Sequence, residues 1–122
     1  MSDEEAQLIV DKITAYMEIE KPYLNPDMKQ LDLALATGYS TQVLSQVFNL
    51  YMKVRYYDFV NRYRIDEFKR LIKETDYNKY TLLSLSEKCG FSSQASFFRF
   101  FKKFTGLTPN EYIHKVEASK RN

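Results

Sequence analysis

One pattern occurs twice in this chain of 122 residues, and it restricts the possible folds more than any other feature. Gly38-Tyr39-Ser40 is echoed by Gly90-Phe91-Ser92 at an offset of 52 residues, and Leu33-Ala34 by Leu85-Ser86 at the same offset. Downstream, Leu44, Val47, Phe48 and Tyr51 are matched by Phe97, Phe100, Phe101 and Phe104 at an offset of 53, so the second copy carries one extra residue in its turn. Each of these sets falls at i, i+3, i+4 and i+7, the stripe of an amphipathic helix with one buried face.

The glycine ahead of each stripe supplies a sharp turn, and the small residue four positions before it lets two helices approach closely. Helix, glycine turn and second amphipathic helix make a helix-turn-helix unit, here present twice. Each copy has a following helix. Thr108-Pro109-Asn110-Glu111 reads as a capping box with proline at the first helical position, opening a helix through Tyr112, Ile113 and Val116. After the first copy, Arg55-Tyr56-Tyr57-Asp58-Phe59 opens a longer run to Thr75 without Gly or Pro, carrying Phe59, Val60, Tyr63, Phe68, Leu71 and Ile72 at helical spacing. At 1.5 Å per residue this connector spans roughly 30 Å, close to the ~34 Å between successive major-groove faces on one side of B-DNA. Asp76-Tyr77-Asn78-Lys79 closes it as a polar turn, and Thr81 caps the next helix. Ahead of the first unit, Ser2-Asp3-Glu4-Glu5 opens a helix carrying Leu8, Ile9, Ile13, Tyr16 and Met17, ended by Lys21-Pro22.

The expected fold is therefore all-α, about seven helices, with two helix-turn-helix subdomains joined by a long connector helix. A single domain over 1–122 divides into an N-terminal helix plus first unit (1–54), the connector and its turn (55–79), and the second unit with a C-terminal helix (80–122). Only three Gly and three Pro are present, too little punctuation for many short strands.

A net charge of +2 neither establishes nor excludes a nucleic-acid partner, but its distribution is uneven. The first 20 residues carry Asp3, Glu4, Glu5, Asp11, Glu18 and Glu20 against Lys12 alone, so the remainder is clearly basic. The single cysteine, Cys89, cannot form an internal disulfide and reads as a small buried hydrophobe. No membrane span or signal peptide is legible, and the chain is expected to be cytoplasmic, without membrane contact. Cys89 and His114, the only Cys and His, fall on different helices, and no phosphate loop or metal-ligand spacing occurs, so neither an enzyme nor a metal or cofactor is expected.

Taken together, these residues resemble the DNA-binding domain of the AraC/XylS family of bacterial transcription regulators, from about Tyr23 to Val116. The stretch from Gly90 to Tyr112 carries the match, and Asn61-Arg62-Tyr63-Arg64-Ile65 of the connector is also similar to the family's. In the first unit Lys53 stands where the second copy has Gly106, Gln30 stands where the family usually has an apolar residue, and Phe68 replaces a common alanine. The resemblance implies sequence-specific binding of double-stranded promoter DNA, with two recognition helices in successive major grooves. RNA polymerase is an implied partner, as is an effector-sensing or dimerising region outside this chain. A helical protein-interaction module that has lost DNA binding is the rival reading, since helix-turn-helix scaffolds can change function.

Turning the second recognition helix by 100° per residue with Phe97, Phe101 and Phe104 inward leaves Ala95, Ser96, Arg99, Lys102 and Lys103 outward, with Gln94 at the edge. The family's base-reading positions fall on the same face, giving Gln94, Ala95, Ser96 and Arg99 as base contacts. Arginine can pair bidentately with guanine, Gln94 with adenine, and Ala95 can meet a thymine methyl. Ser92, Ser93, Lys102 and Lys103 are expected on phosphates. In the first unit the same rotation offers Gln42, Ser45 and Gln46 to bases and Asn49 and Lys53 to phosphates. The second unit is thus expected to supply most of the electrostatic affinity. Phe98 lies off the stripe, Arg64 is expected to tie helices together, and Arg62 to be exposed.

Overall fold

The computed structural model describes residues 1–120, so Arg121 and Asn122, the end of the expected 80–122 segment, lie outside the described residues. Among the described residues there are seven α-helices and no strand. The described residues form two compact units, the first Met1–Val60 and the second from Asn61 onward.

In the first unit, α1 (Asp3–Glu20) begins at Ser2, whose Oγ accepts the Glu5 N–H at 3.1 Å, and acidic residues fill the positive end of the helix dipole. Its buried face is Ala6, Ile9, Ile13 and Met17. Leu8, expected on that face, is 68% exposed because it sits about 100° around the helix from Ile9. A 310 turn (Pro22–Leu24) follows, and Asn25 Oδ1 accepts from the Asp27 N–H at 2.9 Å. Helix α2 (Gln30–Thr37) starts with the Asp32 carboxylate accepting the Lys29 N–H, and ends at Gly38 with φ +83°. A Cβ at Gly38 would meet nothing within 4 Å, so the backbone angle alone demands glycine. Helix α3 (Thr41–Gln46) is capped by Ser40, and α1 and α2 pack against this region.

Beyond Gln46 the second helix of the first helix-turn-helix unit does not continue as an α-helix to Met52, as its stripe suggested. Val47–Met52 is π-helical. The wider π turn advances the chain fewer degrees per residue, so the i+7 position leaves the buried stripe. Leu44, Val47 and Phe48 are buried, whereas Tyr51, expected in the core, is 37% exposed and donates its hydroxyl to Gln7 Oε1 at 2.7 Å. The segment ends at Lys53, which has φ 55° and ψ 45°, a left-handed conformation that costs an L-residue about 1–2 kcal/mol. Lys53→Gly is expected to raise stability by about 0.5–1 kcal/mol after the greater freedom of glycine in the unfolded chain is subtracted. A thermal melt followed by circular dichroism checks this, and a lower melting temperature would contradict it.

Helix α4 (Tyr56–Glu74) begins in the first unit, and from Asn61 onward its residues belong to the second. A 310 turn (Tyr77–Lys79) leads to α5 (Leu82–Lys88), capped by Thr81 Oγ1. Then come α6 (Gln94–Thr105), ending at Gly106 with φ +77°, and α7 (Pro109–Lys120). The second core gathers Ile65, Phe68, Ile72, Leu85, Cys89, Phe91, Phe97, Phe101 and Tyr112. Phe68 is its centre, with ring centroids 4.9 Å from Phe97, 5.3 Å from Phe101 and 6.3 Å from Tyr112. Arg64 is buried, donating to Asn61 Oδ1 at 2.8 Å with its guanidinium 5.9 Å from the Phe91 ring.

Cys89 is fully buried, and loss of solvation, with Glu67 nearby, pushes its thiol up to about 12. Only the thiolate attacks disulfide reagents. Ellman's reagent is therefore expected to leave native Cys89 unmodified at pH 8 and to titrate one thiol in denaturant; rapid native reaction would contradict the burial.

Candidate nucleic-acid interface

Helix α6 presents a polar face opposite its buried phenylalanines. Phe97 and Phe101 are fully buried, which turns Ala95, Arg99, Lys102 and Lys103 outward, all exposed, with Gln94 and Ser96 half-buried. Ser92 and Ser93 are exposed at its start, and Ser93 Oγ accepts the Ser96 N–H at 3.1 Å, fixing the first turn. Phe100 and Phe104, expected wholly in the core, are only half-buried. Their rings lie 5.9 Å apart in a stacked pair, packed against the core but open on one side.

Cations occupy that open side. The Arg99 guanidinium sits 5.2 Å from the Phe100 centroid, Lys103 Nζ 5.8 Å from Phe100 and 5.6 Å from Phe104, and the Arg62 guanidinium 4.8 Å from Phe104. An exposed cation over an aromatic face gains about 0.5–1 kcal/mol, so these side chains are held near the surface rather than free in solvent. Arg62 is exposed, as expected, but its place beside Phe104 was not legible: a residue on the connector and one at the end of α6 are distant in sequence.

Phe98, Arg99, Lys102, Thr108 and Asn110 line one shallow groove between α6 and the start of α7. Phe98, off the stripe, is 37% exposed and stacks at 5.8 Å on Phe97. At the mouth of α7, Thr108 N–H donates to Glu111 Oε1 at 2.8 Å and Glu111 N–H donates to Thr108 Oγ1 at 3.1 Å, the expected capping box. Hydrogen bonds from Thr108, assisted by the charge of Lys102, hold the Glu111 carboxyl below the usual range. The Thr-Pro-x-Glu pattern located this helix start; that Thr108 and Asn110 border the α6 cations required the tertiary packing of α7.

The first unit offers a different surface. Gln42, Gln46, Asn49 and Lys53 are exposed, and Ser45 is half-buried. Lys53 is the one cation from Gln42 to Lys53. Gln46 borders a shallow depression shared with Met1, Ser2, Asp3, Ala6, Leu50 and Tyr51, in which Asp3 is the charged side chain. Gln30 Nε2 donates to Ser45 Oγ at 2.9 Å and to the Thr41 carbonyl at 3.2 Å, tying the start of α2 to α3.

Among the described residues, no group of three or more His, Cys, Asp or Glu side chains could hold a metal ion, and no helix is long and apolar enough to cross a membrane.

A family model described as a helix-turn-helix domain matches residues 33–115. An uncharacterised HTH-type transcriptional regulator of Staphylococcus aureus is 33% identical over 103 residues, covering 84% of this chain and 13% of that protein. The chain thus spans about an eighth of the length of that relative. Among solved structures, a transcriptional regulator of Chromobacterium violaceum with an AraC-type DNA-binding domain aligns with a TM-score of 0.75 at 19% identity, covering 93% of this chain and 96% of that one. The DNA-binding domain of the global transcriptional factor AdpA, solved with a target DNA, aligns with a TM-score of 0.74 at 17% identity, over 92% of this chain and 96% of that one.

Proposed function

The chain belongs to the AraC-type helix-turn-helix family, and from that premise we propose that it binds double-stranded DNA sequence-specifically as the DNA-binding domain of a bacterial transcription regulator. The observation that carries this reading is the face of α6: small and amide side chains in its first turn, then Arg99, Lys102 and Lys103 exposed over a buried phenylalanine base. The first turn can approach base edges closely, while the cations meet the anionic backbone.

On this reading Gln94, Ala95, Ser96 and Arg99 contact bases, and Ser92, Ser93, Lys102 and Lys103 contact phosphates. In the first unit Gln42, Ser45 and Gln46 face bases, and Asn49 and Lys53 face phosphates. Insertion into successive major grooves is part of the proposal and rests on the length of the joining helix, 19 residues or about 28 Å, with bending of the duplex making up any shortfall. RNA polymerase, an effector-sensing or dimerising region outside this chain, and a cytoplasmic location complete the reading. The family is one of DNA-binding regulators, not enzymes.

Selection of bound duplexes from a random pool tests it. Enrichment of a defined motif is the expected result, with log affinity falling linearly in log salt. Enrichment of no sequence would overturn it.

A further inference from the structure

A hydroxyl has one proton and two lone pairs, so which of them a serine shows to DNA depends on what its protein neighbours take. Four Ser and Thr residues in or at the end of helices spend the proton on the carbonyl four residues back, Thr37 on Leu33 at 2.7 Å, Thr75 on Leu71 at 2.6 Å, Thr105 on Phe101 at 2.7 Å and Ser119 on Lys115 at 3.2 Å, and Ser86 spends it on Leu83, three back, at 2.7 Å. Ser45 does not. The carbonyl it would use, Thr41 O, instead accepts from Gln30 Nε2 at 3.2 Å. A carbonyl oxygen can only accept, so the end of the Gln30 side chain facing it is the NH2 group. The second proton of that group goes to Ser45 Oγ at 2.9 Å. Gln30 therefore blocks the back-bond and fills a lone pair of Ser45, and among the described residues the Ser45 proton is committed to no acceptor.

We propose that Gln30 is a positioning residue for base readout: by holding Ser45 off the back-bond it keeps the hydroxyl proton available to the duplex. Ser45 can then donate to an acceptor at its base pair, a purine N7, guanine O6 or thymine O4, which a back-bonded serine could not do. Neighbouring Gln42 and Gln46 are exposed amides able to both donate and accept, and the Ser45 hydroxyl adds a donor that a back-bonded serine would lack. The inference rests on the reading above that α3 faces base edges.

The test is duplex selection with the wild-type chain, Gln30→Leu, Ser45→Ala and the double variant, each also melted thermally. Leucine at position 30 frees the Thr41 carbonyl, so Ser45 reverts to the back-bond of its four counterparts. Gln30→Leu and Ser45→Ala are each expected to relax the preference at one and the same base pair by about threefold to tenfold, the worth of one neutral hydrogen bond. The double variant should relax it no further, and Gln30→Leu should melt at or above the wild-type temperature, which separates positioning from support of the fold. Wild type enriching a motif that both variants enrich unchanged, or Gln30→Leu weakening all duplexes equally, overturns this inference alone. A wild-type chain that enriches no motif overturns the DNA reading and this inference with it.

Discussion

Phe68→Ala is expected to destabilise the second unit severely and, with it, the seat of α6. Phe68 is fully buried, and its ring touches Phe97 and Phe101, the two residues that anchor α6, as well as Tyr112 of α7. Truncating a buried phenylalanine to alanine costs about 3–5 kcal/mol, the lost transfer free energy plus the cavity left behind. A unit of this size holds only about 3–9 kcal/mol in total at 0.05–0.15 kcal/mol per residue. The loss therefore removes between about a third and all of its stability. Leucine at this position keeps much of the volume and is expected to cost less, about 1–2 kcal/mol, with the helical signal retained at 25 °C. Urea titration followed by circular dichroism distinguishes the outcomes: a Phe68→Ala midpoint equal to that of wild type would mean that the aromatic cluster contributes little.

The prominence of Phe68 bears on what the sequence could disclose. Periodicity placed it on the inward face of the connector, and the repeat placed Phe97 and Phe101 inward on α6, so the second core was legible before any coordinates. Stripes of identical spacing were nevertheless not equivalent in three dimensions. Phe100 and Phe104 share the register of Phe97 and Phe101 yet sit at the rim, half-buried beneath Arg62, Arg99 and Lys103. An amphipathic pattern reports which side of a helix is apolar, not where the neighbouring helices end.

The first unit departed further, for a local reason. A stripe at 100° per residue holds only for an α-helix, and the π-helical Val47–Met52 breaks that rule, moving Tyr51 out of the core and onto Gln7. Lys53, where the second copy has glycine, ends this segment in a left-handed conformation, so the substitution noted in the sequence marks a strained terminus. Gln30 in place of an apolar residue likewise announced a polar contact without naming its partners; Thr41 and Ser45 emerged only when α2 and α3 were packed. The proposed contact residues are legible as a face because exposure follows from the opposite buried face: with Phe97 and Phe101 inward, Ala95, Arg99, Lys102 and Lys103 lie outward.

Arg99→Ala and Lys102→Ala are expected to weaken DNA binding in two distinguishable ways. Arg99 is exposed, with its planar guanidinium held against Phe100 and its fork directed from the outer face of α6. A bidentate arginine contact to guanine carries about 1–3 kcal/mol of discrimination, a fivefold to roughly 150-fold loss. Arg99→Ala should therefore lower affinity for the selected motif, leave nonspecific affinity nearly unchanged, and flatten preference at one base pair. Lys102 has no fork and lies farther along the helix, beside the α7 start and the Glu111 carboxylate. As a phosphate contact it should weaken all duplexes alike and reduce the slope of log affinity against log salt by about 0.9. Both side chains are exposed, so Lys102→Ala should shift stability by no more than about 0.5 kcal/mol and Arg99→Ala by no more than about 1 kcal/mol, the worth of its contact with Phe100, and lost binding cannot be ascribed to unfolding. Gln46→Ala, on the uncharged face of α3, should leave the slope intact and cost less than Arg99→Ala. If Arg99→Ala and Lys102→Ala bind like wild type while Gln46→Ala abolishes binding, the anchoring role passes from α6 to α3, and the buried phenylalanine base of α6 would serve the fold alone.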